Sequence, residues 1–148
     1  KTSGIYTIHD LMHKRVNTGP VGSGLRGTMN NVLKATGVVP SEASDVTAAQ
    51  EAQLLCRNQT DAISFILDLN APQVEQIEKT CRMRRLGFSH STLEEVMRSN
   101  ETYYPIHLGS SGQEEVYAVG LYVDLITYKD ALSPEDQELI VDSLRTMP

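Results

Sequence analysis

The chain has 148 residues, 40% of them hydrophobic and 22% charged, and a net charge of −6. That composition excludes wholesale disorder, and a chain of this size buries roughly 68–70% of its unfolded surface, enough for a core without metal or disulfide. No apolar run approaches the ~20 residues of a membrane helix, and no segment has the basic, apolar and small-residue sections of a signal peptide.

Ile5, Ile8, Leu11, Met12 and Val16 recur at helical spacing and predict a short first helix. Residues 17–24 read as a loop, because their glycines and proline prevent regular structure. A second helix is expected over 25–36, closed by Gly37 as C-cap. Residues 38–44 read as a connector, after which Ser44 or Asp45 caps a helix running to about Arg57. The apolar run 62–69 is ambiguous in period and is taken as helix. Asn70 and Pro72 start the next helix, whose last turn carries Arg82, Arg84 and Arg85. Ser91 and Glu94 form a capping box for a helix that buries Leu93, Val96 and Met97.

Beyond residue 100 the apolar period changes from helical to alternating. Residues 103–108 read as extended, 109–112 as a turn and 115–128 as a long strand. A turn on Ser110 and Ser111 sets Tyr104 opposite Tyr117 and His107 opposite Glu114. Pro105 confines its strand to a sheet edge, and Gly120 marks a bulge. Ser133 and Pro134 begin a closing helix that turns Leu139, Ile140 and Leu144 to the core. The expected fold is α+β: a mostly helical N-terminal two-thirds packed on a small antiparallel sheet or hairpin, with a closing C-terminal helix. One domain spans 1–148, with 1–24 as a basic, Gly-rich arm.

The motifs are incomplete. His9 and His13 stand four apart, a spacing that suits a metal, but no third ligand or zincin-type glutamate accompanies them, so no metal is assigned. Gly22, Gly24 and Gly27 match GxGxxG ahead of a helix, yet the preceding Lys14-Arg-Val-Asn17 does not read as the buried strand that a dinucleotide site requires. No cofactor is called for. Arg82, Arg84 and Arg85 are the anion-binding candidates. The words Arg85-Leu-Gly-Phe-Ser89 and Leu93-Glu-Glu-Val96 are similar to a helix pair in MerR-type regulators, whose upstream winged-helix sequence is not recognisable here. Cys56 and Cys81 fall on apolar helical faces and read as two buried thiols in a reducing setting, inside a cell or a particle.

Charge is segregated: residues 1–40 carry +4 and residues 100–148 carry −7. With a tyrosine-bearing sheet face, this points to an interaction or assembly domain, such as a structural subunit of a larger particle. Its interface candidates are Lys14, Arg15, Arg26, Tyr103, Tyr122, Asp124 and Tyr128, and its partners are further copies or other protein subunits. The alternative is a regulatory module that binds a small ligand or nucleic acid, with nucleic acid not favoured in an acidic chain. A third reading is an enzyme with His107, Glu114 and Asp124 on the sheet face.

Overall fold

A computed structural model describes residues 4–44, 46, 48–68, 71–81, 83–111, 114–122, 126, 128 and 131–145. The fold is α+β, as composition and periodicity indicate. A 3-10 turn (Ile8–Leu11) leads into β1 (Arg15–Asn17), α1 (Gly24–Ala35), β2 (Glu42–Ser44), α2 (Ala48–Cys56), β3 (Ala62–Ile63), α3 (Pro72–Cys81), α4 (His90–Ser99), β4 (Tyr104–Ser111), β5 (Glu114–Gly120) and α5 (Pro134–Arg145).

The first half differs from the sequence expectation in kind. It is a parallel β-α-β-α-β unit with strand order β2-β1-β3, so the stretches read as helix, connector and ambiguous run each contain a strand. These strands are only two or three residues long, too short to show a period-two pattern. β1 also begins on a charged residue, Arg15, whose partner lies far away in sequence. The Arg15 guanidinium donates from Nε (3.1 Å) and Nη2 (2.8 Å) to the two carboxylate oxygens of Asp61. Its backbone N–H donates to the same carboxylate, and the Asp61 N–H returns a bond to the Arg15 carbonyl. Thr60 Oγ1 donates to that carbonyl as well. The guanidinium beside Asp61 holds its carboxyl below the usual range.

The core gathers Ile5, Ile8, Leu11 and Val16 from the N-terminal stretch with Val32, Leu33, Val38, Val96 and Tyr103. Residues inside the basic 1–24 segment are therefore anchored in the core. α4 lays Leu93 and Val96 inward, with Ser89, not Ser91, as N-cap: its side chain accepts from the Thr92 N–H.

β4 and β5 form an antiparallel hairpin whose register differs from the expected one. Tyr104 pairs with Gly120, His107 with Tyr117 and Ser111 with Glu114. The irregularity lies between His107 and Gly109, where Gly109 takes φ +120°, and not at Gly120. Gly120 instead accommodates the Tyr104 ring, which a Cβ would meet at 2.4 Å. β5 stops there: Leu121 and Tyr122 no longer pair, and residues 123–125 and 127 of the strand expected to residue 128 lie outside the described residues. Pro105 does sit on an edge: β5 bonds on its far side to Phe88, leaving β4 outermost. Gly87 makes that docking feasible, because a Cβ there would lie 1.8 Å from Val116 Cγ1.

Two further expectations are corrected. Cys56 and Cys81 are not buried thiols; they close a disulfide between the last residues of α2 and α3, across 25 positions. Helical periodicity placed each on an apolar face but could not show that the two helix ends meet, with Cα atoms 5.1 Å apart. Leu139 and Leu144 are exposed rather than core, and α5 buries no residue.

Closing a loop of this length restricts the unfolded chain by about 3 kcal/mol. The double variant Cys56→Ser/Cys81→Ser should lose roughly that much in chemical denaturation, as should the wild type under a strong thiol reductant. Asp61→Asn should cost about 1–2 kcal/mol, moderated by the half-exposed setting of the fork. Since the Asp61 pKa is lowered on folding, the wild-type advantage should be full at neutral pH. It should fade as pH drops through the folded-state value, leaving wild type and variant alike in acid unfolding.

Candidate functional site

In an open parallel sheet, ligands seat outside the carboxyl ends of the strands where the strand order reverses. Here the order β2-β1-β3 reverses at β1, so its carboxyl end and that of β3 define the place. β1 ends at Asn17, followed by Thr18, and both are fully buried. Ser64, just past β3, donates to the Asn17 carbonyl at 2.8 Å and ties the two strand ends together.

Asn17 organises the next turn. Its Oδ1 accepts from the Gly19 N–H at 2.7 Å, which fixes the amide orientation. Gly19 adopts φ +84°, and a Cβ there would lie 2.7 Å from the Leu25 side chain, so glycine is required twice over. The Arg26 guanidinium donates from Nε to the Gly19 carbonyl at 2.7 Å and folds back over the turn. Ser23 caps α1, accepting from the Arg26 N–H at 3.1 Å. The turn thus delivers the positive end of a 12-residue helix to the carboxyl edge of the sheet, with no acidic residue in its first turn.

Among the described residues, three side chains carry buried polar atoms without a partner: Asn17 Nδ2, Thr18 Oγ1 and both carboxylate oxygens of Glu51. A buried polar atom left unpaired costs roughly 1–3 kcal/mol, so such atoms mark either strain or a role in contact with something else. Asn17 and Thr18 are adjacent and lie at the switch point. Glu51 stands in the first turn of α2, whose start follows β2, and Ser44 of β2 is the register partner of Asn17. Burial, with 1% of the residue exposed, pushes the Glu51 carboxyl up to about 7.

The sequence candidates distribute differently. Lys14 is exposed, while Arg15 and Arg26 are partly buried and held by the contacts above. Tyr103 is buried, its hydroxyl accepting from Asn31 Nδ2 at 2.9 Å. Tyr122 and Tyr128 are exposed, and Asp124 lies outside the described residues. Arg82 also lies outside them. Arg84 donates to the Ile5 carbonyl and stacks on the Tyr6 ring at 4.1 Å, and Arg85 pairs with Glu78 at 3.1 Å. His107 bonds to Glu115 and packs edge-on to Tyr117 together with His90, while the Glu114 side chain lies outside the described part of the structure. His9 ends up in the 3-10 turn and His13 beyond it at φ 58°, so the two do not share a helical face. Among the described residues no group of three or more His, Cys, Asp or Glu could hold a metal.

Sequence reading missed Asn17, Thr18 and Glu51. The GxGxxG match was the available signal. The objection to it, a missing strand, is removed by β1, which enters α1 through the glycine loop and continues to a parallel β2. The motif's glycines 22, 24 and 27 have open space where a Cβ would stand, so the close-approach role falls to Gly19 instead.

The unpaired polar groups thus lie where open parallel sheets seat their ligands. The chain belongs to the NMT1-like family, whose model matches residues 1–141. That membership favours a small-ligand-binding module over an assembly domain. No curated protein matches the chain.

The folded protein retains the Glu51 proton at pH values where the unfolded chain, with an ordinary carboxyl near 4.5, has released it. Stability therefore falls as pH rises from about 4.5 to about 7 and stays reduced above, by up to about 3 kcal/mol. Glu51→Gln should raise the melting temperature at pH 8 and change it little at pH 4.5, as read by calorimetry.

Proposed function

We propose that this domain binds a small ligand bearing an anionic or strongly accepting group, seated at the carboxyl end of β1. The observation that carries the reading is the pair of fully buried, unpartnered donors, Asn17 Nδ2 and Thr18 Oγ1, at the point where the strand order reverses. The N-terminal end of α1 adds a favourable field for negative charge, and Arg26 lies one turn away. Family membership supports the same reading. It is the regulatory-module alternative in its small-ligand form, with the seat built by β1 and α1 and not by Arg84 and Arg85.

The disulfide bears on setting. Disulfides form and persist in oxidising compartments, and the Cys56–Cys81 bond supports a setting outside the reducing cytosol. Among the described residues no helix is long and apolar enough to cross a membrane.

Thr18→Val removes the hydroxyl while keeping the shape. The unliganded variant should be as stable as wild type or more so by about 1 kcal/mol, because an unpaired buried hydroxyl is lost. A panel of small carboxylates and inorganic phosphate, screened by calorimetry, should contain members that raise the wild-type melting temperature. A ligand at a hundred times its Kd stabilises by about 2.7 kcal/mol. The same compounds should act weakly or not at all on Thr18→Val. Equal stabilisation of both proteins would place binding elsewhere.

A further inference from the structure

We infer that Glu51 is a second recognition group of this site, and that it takes a protonated amine of the ligand. The inference rests on the ligand-binding reading above and specifies the ligand's other end.

The case begins with position. Glu51 and Leu55 stand four residues apart on α2 and are both buried, so they share the face that α2 turns inward. Leu55 is an apolar core residue. Glu51 lies nearer the helix start, at the end of α2 that follows the carboxyl end of β2. Asn17 and Ser44 are paired in register, so the seat on β1 and the first turn of α2 open on the same edge of the sheet. The inward carboxylate and the inward amide and hydroxyl therefore belong to one end of the unit.

The chemistry of the two sides is complementary. Asn17 Nδ2 and the α1 N-terminus offer donors, and Glu51 offers two acceptor oxygens with nothing to accept from. A hydroxyl or amide from the ligand would satisfy one oxygen. An ammonium, with three donors and a positive charge, satisfies both and stabilises the carboxylate. Burial raises the free carboxyl to about 7, so its charged form is held at a cost that a bound counter-cation offsets.

The test uses two matched series at pH 8: the ω-amino acids of three to six carbons, and the dicarboxylates of the same lengths. Melting temperature and isothermal titration are measured on the wild type, Glu51→Gln and Thr18→Val. At least one ω-amino acid should bind the wild type roughly tenfold or more better than the dicarboxylate of equal length. Glu51→Gln should abolish that preference while keeping or improving dicarboxylate binding, and Thr18→Val should weaken both series. If the two series bind alike and Glu51→Gln changes neither, the amine role is overturned, while loss of binding in Thr18→Val would leave the β1 seat standing. If no member of either series binds the wild type at millimolar concentration, the amine role falls together with the seat. Glu51→Gln is a neutral isostere at a position where the charge is unfavourable, so it tests recognition in a folded protein.

Discussion

The ion pair between Arg15 and Asp61 is the constraint on which the N-terminal half depends. β1 and β3 share only two register pairs, far too few to define a parallel pairing on their own. The fork adds four contacts between the same two residues, from guanidinium and backbone together. Parallel strands gain nothing from a tight turn and must be brought together across a long connection. A charged side chain at the head of the central strand, matched to a carboxylate at the head of its neighbour, fixes both register and direction where packing area is small. Everything at the far end of β1 inherits its position from that match.

The site then follows as a departure from an otherwise satisfied interior. The turn after β1 is saturated with hydrogen bonds: Asn17 to Gly19, Arg26 to Gly19, Ser23 to its own helix. Within that saturated frame, a few inward polar atoms are unmatched. Natural interiors tolerate such atoms where a visitor completes them. Membership of the NMT1-like family supplies independent support for a ligand-binding role. It favours that role over the assembly reading, which rested on charge segregation and on tyrosines of which one, Tyr103, is committed to the core.

Helices were legible because their signals are local. The caps and breakers around α1 and α5 lie within a few residues of the ends they mark, and Gly37 at φ +67° closes α1 as its composition implies, whereas α3 ends at Cys81 and leaves Arg84 and Arg85, read as part of its last turn, beyond it. The short parallel strands were not legible, because Arg15 needs Asp61 before a charged residue makes sense in a central strand. The hairpin register was missed by the freedom of Gly109, which takes up a residue that a regular pairing would have spent. The site was hidden for the same reason as the strands. Asn17 and Thr18 look like loop residues beside Gly and Pro, and Glu51 looks like a solvated helix acid until the fold turns it inward.

The bond between Cys56 and Cys81 has one more consequence. It makes a covalent ring of residues 56–81, and that ring contains β3, Asp61 and the whole of α3. A single backbone cut anywhere between the two cysteines leaves no free fragment: both new ends stay tethered, one through each half of the cystine. The molecule can thus survive proteolytic nicking within α3, a helix that buries no residue, as a single covalent body, with β3 still delivered to its place beside β1.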